Sequence, residues 1–131
     1  MKVLIVEDDF ISRLVLQEIL KQYGTVHIAV NGREAVEAVR MAMLTEEPYD
    51  LVCLDIMMPE LDGQDALKQI RKMEKQAGIS ALNRVKIVMT TALGDQANVM
   101  SAIREQCDGY LIKPYNKAEF LDHLRTFGLV S

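Results

Sequence analysis

Residues 51–63 read Leu51-Val52-Cys53-Leu54-Asp55-Ile56-Met57-Met58-Pro59-Glu60-Leu61-Asp62-Gly63, an apolar run that ends in a carboxylate and a loop. Four consecutive apolar residues bounded by turn residues are typical of a strand that is buried on both faces. A carboxylate at the end of such a strand costs free energy unless its charge is paired or used. The stretch therefore predicts a buried strand whose end carries a functional acid.

Three other apolar runs are also followed by polar or charged residues. Val3-Leu4-Ile5-Val6 is followed by Glu7 and Asp8, and Leu111-Ile112 is followed by Lys113. A fourth run ends in two threonines at positions 90 and 91. In an open parallel sheet, ligands bind at the carboxyl ends of the strands. These residues thus predict one shared site for a divalent cation and an anionic oxygen group.

Strand-like runs alternate with helical periodicity along the whole chain. The predicted strands cover residues 2–6, 25–30, 50–54, 84–90 and 109–112, and the predicted helices cover residues 10–22, 33–44, 64–76, 96–106 and 117–124. Gly24 is expected to close the first helix, and Asn31 and Asn116 are expected caps. Continuous apolar strands between amphipathic helices predict an α/β protein whose parallel sheet is covered on both faces.

Length and composition limit the classes of protein. The chain has 131 residues and is 50% apolar, which suits one domain with its own core. A net charge of −4 without a basic cluster argues against a nucleic-acid surface. No apolar run approaches the ~18 residues of a membrane span, and no signal peptide pattern opens the chain. We expect a cytoplasmic protein whose Cys53 and Cys107 are reduced thiols.

The candidate site combines hard oxygen ligands with one mobile cation. The carboxylates of Glu7, Asp8 and Asp55 suit Mg²⁺, which prefers oxygen ligands and keeps several waters. Lys113 adds a point charge on a flexible stem, and a threonine hydroxyl adds a donor. Together these groups form a clamp for a phosphoryl group. Asp55, on the central strand, is the candidate nucleophile, and it would form an aspartyl-phosphate.

The chain resembles the receiver domain of two-component response regulators over essentially its full length, residues 1–131. A match to any one segment is weak evidence, but five segments match in order and at nearly the spacing seen in the family. The pieces are Val3-Leu4-Ile5-Val6-Glu7-Asp8-Asp9, Asn31-Gly32-Arg33-Glu34-Ala35, Asp55 to Gly63, Thr91-Ala92 and Gly109-Tyr110-Leu111-Ile112-Lys113-Pro114. The resemblance implies a flavodoxin-like (βα)5 domain with a five-stranded parallel sheet of order 2-1-3-4-5.

The resemblance also assigns a metal site to individual residues. Asp55 is implied as the phosphoacceptor and Asp8 as a direct Mg²⁺ ligand. Glu7 is implied as a ligand that acts through water, and the backbone carbonyl of Met57 as a third protein ligand. Asp9 is expected to lie outside this pocket.

Three further residues are implied in phosphoryl binding and switching. Lys113 would pair with a phosphoryl oxygen, and its bond to Pro114 is expected to be cis. Thr91 is preferred to Thr90 as the switch hydroxyl, because it stands 22 positions before Lys113 and is followed by alanine. Tyr110 matches the aromatic switch position.

The implied function is that of a phosphorelay receiver. A histidine kinase or histidine phosphotransfer protein would present phosphohistidine, and Asp55 would accept the phosphoryl group with Mg²⁺. Such a receiver is not usually classed as an enzyme, since it only catalyses its own phosphorylation and dephosphorylation. Output is expected through protein contact on the predicted helix of residues 96–106, strand five and the last helix, with the chain a monomer or weak dimer.

Several alternatives stay open or are disfavoured by the sequence. One open alternative is a domain excised from a hybrid histidine kinase or larger regulator, because the extra length of Lys72 to Asn83 resembles receivers attached to hybrid kinases. An aspartyl-nucleophile phosphatase would need an acid where Met57 stands, and no nucleotide-binding glycine motif is present. A purely structural receiver would leave the clustered charge without a use. Met57 and Leu93 are apolar beside the path of the hydrolytic water, which predicts a long-lived aspartyl-phosphate.

Overall fold

Strands and helices alternate through the described part of the chain. The computed structural model describes residues 1–56, 62–92, 107–113 and 116–130, and for Ala92 only the backbone. The strands are β1 (Lys2–Val6), β2 (Thr25–Ala29), β3 (Leu51–Asp55), β4 (Lys86–Ala92) and β5 (Gly109–Lys113). The helices are α1 (Phe10–Leu20), α2 (Gly32–Leu44), α3 (Gly63–Gln76) and α4 (Lys117–Thr126). The predicted helix of residues 96–106 lies outside the described residues.

All five strands form one parallel sheet in the order β2-β1-β3-β4-β5, which confirms the predicted order. After β2 the chain crosses past β1 and forms β3 on its other side, so the direction in which strands are added reverses between β1 and β3. In doubly wound sheets the ligand crevice lies at this reversal, outside the carboxyl ends of the strands. Glu7 follows β1, and Asp55 ends β3, so both acids lie at the crevice.

The core consists of two layers, one on each face of the sheet. Successive residues of β3 alternate between them: Val52 and Leu54 pack with α2 and α3, whereas Leu51 and Cys53 pack with α1 and α4. Every residue of β3 is buried. None of the helices in the described part of the chain is long and apolar enough to cross a membrane.

Each described helix begins at a residue whose side chain accepts a hydrogen bond from the helix backbone. Asp9 caps α1, Asn31 caps α2, Asp62 caps α3 and Asn116 caps α4. The cap at Asn31 accepts from the Glu34 amide at 2.8 Å. The carboxylate of Asp9 is therefore engaged by α1, since it accepts from the Ser12 amide.

Gly24 does not close the first helix as the sequence predicted. Helix α1 ends at Leu20 with Lys21 as its C-cap, and Gly24 lies three residues beyond that cap. A Cβ at Gly24 would overlap the carbonyl oxygen of Met1, which accepts a hydrogen bond from the Thr25 amide at 2.9 Å. The glycine is required by this close approach of two backbone segments and not by a helix end.

Strand β4 covers residues 86–92 and not the predicted residues 84–90. The backbone groups of Val85 bond to side chains of α3 instead: its amide donates to Glu74 Oε2 at 2.7 Å, and its carbonyl accepts from Arg71 at 2.8 Å. The strand consequently begins at Lys86 and includes both Thr90 and Thr91.

Candidate functional site

Three carboxylates meet at the reversal point of the sheet. Oxygen atoms of Glu7, Asp8 and Asp55 all lie within 4.8 Å of one another. The pairing of Val6 with Leu54 brings the ends of β1 and β3 side by side, and this places Glu7 next to Asp55. Glu7 and Asp55 are buried, while Asp8 is exposed at the mouth of the crevice.

Lys113 reaches from the end of β5 into this acidic cluster. Its Nζ lies 2.9 Å from Glu7 Oε2 and 3.1 Å from Asp55 Oδ2. Although it is close to the ammonium, Glu7 Oε2 makes no hydrogen bond of good geometry within the described residues. Within the described residues the ammonium thus contacts two of the three clustered carboxylates, and the cluster keeps the capacity to bind a further cation.

The electrostatics of the cluster follow from burial and from this excess of acids. Burial raises the pKa of the Glu7 carboxyl; Lys113 opposes this shift, and Asp55 adds to it. Burial alone would lower the pKa of Lys113, but its close contact with Glu7 and the charge of Asp55 raise it above its ordinary value. The ammonium is therefore firmly charged, while the acids would gain from a further positive charge.

The two threonines lie near the end of β4 beside the acidic cluster, and both are buried. Thr90 lies level with Asp55 in the sheet register, and its carbonyl accepts a hydrogen bond from the Ile56 amide at 3.0 Å. Thr91 lies one residue nearer to the end of the strand, opposite Ile112. Since neighbouring strand residues point to opposite faces, the two hydroxyls have different surroundings.

Tyr110 lies on β5 opposite Met89, and its side chain is 41% exposed. β5 is the end strand of the sheet in the described residues. Met57, Leu93 and Pro114 lie outside the described residues. The roles assigned to these residues, including the cis bond before Pro114, therefore stay predictions.

Gly63 contributes to the site although the sequence indicated it only as the start of a helix. Its amide donates to the Ile56 carbonyl at 2.9 Å, which brings the first turn of α3 back to the end of β3. A Cβ on Gly63 would overlap the carbonyl oxygen of Asp55. Only glycine allows this approach, so the backbone of Asp55 is held by the start of α3.

An exposed apolar face of α1 is a second feature that sequence reasoning missed. Phe10 and Ile11 are 58% and 64% exposed, and Leu14 and Val15 are also exposed. Positions separated by four residues share one face of a helix, so these side chains form one surface beside Asp8. The sequence signal for this surface was the presence of apolar residues on every side of the helix. Only Leu16, Ile19 and Leu20 of α1 are buried in the core, so the other apolar residues had to be exposed.

Comparison with known proteins identifies the family to which the chain belongs. The family model of the response regulator receiver domain matches residues 3–125. The chemotaxis protein CheY of Thermotoga maritima is 35% identical over 125 residues, which are 94% of this chain and 93% of that protein. The chain therefore belongs to the response regulator receiver domain family, and it is a receiver domain of two-component signalling.

Two solved structures are similar over nearly the whole chain. The receiver domain of the Saccharomyces cerevisiae response regulator Ssk1, crystallised with the histidine phosphotransfer protein Ypd1, has a TM-score of 0.82 and 33% identity, covering 98% of this chain and 88% of that one. The receiver domain of a sensor histidine kinase from Pseudomonas aeruginosa holds a magnesium ion in its active-site cleft. Its TM-score is 0.78 with 28% identity, and the match covers 97% of each chain.

Proposed function

We propose that this chain accepts a phosphoryl group on Asp55 from the phosphohistidine of a donor protein, and that Mg²⁺ is required. The observation that supports this most directly is the position of the Lys113 ammonium, 3.1 Å from Asp55 Oδ2, within a cluster of three carboxylates. An acid that is buried, central and paired with one mobile cation suits a nucleophile that must receive a highly charged group.

The residues present fit a magnesium ion. The cluster offers only hard oxygen ligands, and the buried Glu7 Oε2 lacks a hydrogen-bond partner of good geometry in the described residues. Asp8 and Asp55 would bind the ion directly, Glu7 would act through water, and the Met57 carbonyl would complete the protein ligands. The bound ion would supply positive charge to the phosphoryl oxygens in the transition state.

In the proposed step, a carboxylate oxygen of Asp55 attacks the phosphorus atom of the donor phosphohistidine. A new O–P bond forms while the N–P bond breaks, and the electron pair of that bond stays on the imidazole nitrogen of the donor. The Lys113 ammonium would then form an ion pair with one oxygen of the transferred phosphoryl group. We propose that the same residues also catalyse the slow hydrolysis of the aspartyl-phosphate. The protein would then catalyse only its own phosphorylation and dephosphorylation.

We propose the exposed apolar face of α1 as the docking surface of the phosphodonor. This face, Phe10, Ile11, Leu14 and Val15, lies directly after Asp8 and Asp9 in the chain. An apolar surface beside a buried nucleophile lets a partner place a phosphohistidine over the crevice, with binding energy that comes from apolar burial. The related Ssk1 receiver was crystallised with a histidine phosphotransfer protein, so a donor of that kind is the partner we propose.

We propose that the output is a change at the surface formed by the predicted helix of residues 96–106, β5 and α4. Phosphorylation would draw the Thr91 hydroxyl toward the phosphoryl oxygens and turn the exposed Tyr110 inward, which changes the surface offered to a protein partner. An open cavity of about 690 Å³ lies between Tyr110 on β5 and His123 on α4. We propose that residues 1–131 work as one receiver unit, alone or within a larger regulator.

Intact-mass spectrometry tests the acceptor. Wild type and Asp55→Asn are incubated with Mg²⁺ and acetyl phosphate, and Asp122→Asn, an exposed acid on α4, is the matched control. We expect one added phosphoryl group on wild type and on Asp122→Asn, and none on Asp55→Asn. Equal phosphorylation of Asp55→Asn would contradict the assignment, and its absence from a folded, magnesium-bound wild type would contradict self-catalysed transfer.

A further inference from the structure

A buried ionic network joins the end of α3 to the starts of β4 and β5. The guanidinium of Arg71 donates at 2.8 Å to each of three oxygens, on Glu74, the Val85 carbonyl and Asp108. The side chains of Arg71 and Glu74 are buried, and that of Asp108 is nearly so. This network lies at the end of the sheet opposite the acidic cluster, because Asp108 directly precedes β5.

Asp108 is bound twice to a single residue of β4. Its amide donates to the Ile87 carbonyl at 2.8 Å, and its Oδ2 accepts from the Ile87 amide at 2.8 Å. These bonds extend the ladder one step before its first residue pair, Val88 with Gly109. Since Oδ2 also accepts from Arg71, the carboxylate ties the register of β5 to α3 as well as to β4.

The opposite face of β5 is held by close packing. A Cβ on Gly109 would lie 2.9 Å from Nδ1 of His123 on α4, which is closer than real contacts allow. Asp108 faces α3 while Gly109 faces α4, because neighbouring strand residues point to opposite sides. The start of β5 is therefore fixed from both faces of the sheet.

The register of β5 decides where Lys113 stands. Leu111 lies level with Thr90, which lies level with Asp55, so Lys113 is two residues beyond the level of the acid. A slip of two residues would displace Lys113 by about 7 Å, and a slip of one would turn its side chain to the other face. Either slip would break the contact of 3.1 Å between Lys113 Nζ and Asp55 Oδ2.

We propose that Arg71 and Asp108 are positioning residues of the phosphoacceptor site, because their buried ion pair fixes the register of β5 and so holds the Lys113 ammonium against Asp55. Buried ion pairs add little net stability compared with apolar residues of similar size, so a geometric role accounts for the buried charges better than stability does. The last step, the effect on phosphoryl transfer, rests on the proposed function, whereas the effect on the register does not.

The test compares two substitutions of Asp108 with a control in the core. Asp108→Ala removes the carboxylate, whereas Asp108→Asn keeps an oxygen that can accept from the Ile87 amide. Val39→Ala truncates a buried residue of α2, a helix that packs on α3, β1 and β2, so it should lower the melting temperature without acting on the register of β5. Each variant is measured for phosphorylation rate with acetyl phosphate, for Mg²⁺ affinity, and for cross-strand NMR contacts between Thr91 and Ile112.

For Asp108→Ala we expect at least a tenfold slower phosphorylation, weakened Thr91–Ile112 contacts, and a Mg²⁺ affinity within twofold of wild type, because the metal ligands lie on other strands. Asp108→Asn should recover most of the rate, and Val39→Ala should keep both the rate and the contacts. If Asp108→Ala does not fold, Asp108→Asn is used instead. We then expect a smaller but measurable loss of phosphorylation rate and of Thr91–Ile112 contacts.

The proposal is overturned if the Asp108 variants keep wild-type contacts and rate, or if their rates fall only in step with melting temperature as that of Val39→Ala does. The NMR contacts need no phosphodonor. A wild type that is not phosphorylated would therefore count against the proposed function alone, while the register would still be tested.

Discussion

Gly63 and Asp55 are in backbone contact, with the α-carbon of the glycine so close to the aspartate carbonyl that no side chain fits between them. The contact joins the first turn of α3 to the end of β3, and the hydrogen bond from the Gly63 amide to the Ile56 carbonyl at 2.9 Å reinforces it. Because Asp55 is the proposed nucleophile, the glycine sets the position of the reacting group without contributing an atom to it.

Replacing this glycine should damage the site more than the fold. Gly63→Ala forces the Asp55 backbone to move, at a stability cost of about 1–3 kcal/mol, and we expect weaker Mg²⁺ binding together with slower phosphorylation. Gly78→Ala is the control: its φ is +76° and its surroundings are open, so it costs about 1 kcal/mol through backbone strain alone. Titration calorimetry and thermal melts separate the two effects, and equal Mg²⁺ affinities in both variants would contradict the expectation.

The ammonium of Lys113 should be required for fast phosphoryl transfer and not for metal binding. Lys113→Gln removes the ammonium that lies 3.1 Å from Asp55 Oδ2, so we expect phosphorylation by acetyl phosphate to slow about 100-fold. Mg²⁺ affinity should stay equal or rise, since a competing positive charge is lost. Lys117→Gln, an exposed lysine on α4, controls for the loss of one charge, and an unchanged rate in Lys113→Gln would refute the role.

Glu7 should make the metal-free protein less stable as the pH rises. Burial raises its pKa above the ordinary value of 4.5, so the folded protein holds this proton more tightly than the unfolded chain. The resulting stability is complete below pH 4.5 and is lost as the pH rises through the folded-state pKa. Relative to Glu7→Gln, wild type in a chelator should lose melting temperature as the pH rises above 4.5 and passes through the raised pKa of Glu7.

Saturating Mg²⁺ should remove this pH dependence, because the ion binds the deprotonated carboxylate. The measurement is the difference in melting temperature between wild type and Glu7→Gln across the pH range, with and without the metal. A difference that does not change with pH in the chelator would show that Glu7 titrates normally.

The apolar face of α1 should affect the donor protein and not the small phosphodonor. The double variant Ile11→Ser, Leu14→Ser changes two exposed residues, so we expect a stability change of less than about 1 kcal/mol. Phosphotransfer from a histidine phosphotransfer protein should slow at least tenfold, while phosphorylation by acetyl phosphate stays within twofold. Glu18→Gln, further along α1, is the control, and equal slowing with both donors would place the effect at the site instead.

The aspartyl-phosphate should be long-lived, because the family resemblance implies that the side chains of Met57 and Leu93, both apolar, flank the path of the hydrolytic water. Its lifetime can be followed by intact mass after removal of the donor. We expect Met57→Asn to shorten the lifetime severalfold, since an amide can orient the water. Loss of the phosphoryl group from wild type within seconds would contradict this prediction.

Much of the fold could be predicted because each strand carries its own local signal. The apolar run Leu51-Val52-Cys53-Leu54 indicates a strand buried on both faces, and the structure places all of it in the core. The helix caps Asn31 and Asn116 were likewise readable, because a cap acts within three residues of sequence. The order of the strands came only from the family resemblance, since local patterns do not encode neighbours in a sheet.

What could not be predicted depends on contacts between distant residues. The start of β4 is displaced because Arg71 and Glu74 bind the backbone of Val85, 14 and 11 residues away in sequence. Arg71 sits in an ordinary amphipathic pattern, and nothing next to it in the sequence indicates a buried ion pair. Gly24 was misread for the same reason, since its partner is the backbone of Met1.

The placement of the two cysteines has a practical consequence for labelling. Cys53 lies in the centre of the sheet, where burial raises the pKa of its thiol far above the ordinary value, so reagents in solution do not reach it. Cys107 is half-buried and stands directly before Asp108. Burial raises the pKa of the Cys107 thiol, so a maleimide dye would need mildly alkaline conditions to attach there, beside the ion pair that we propose to hold β5. Its fluorescence would report whether phosphorylation of the distant acid pocket reaches the start of β5.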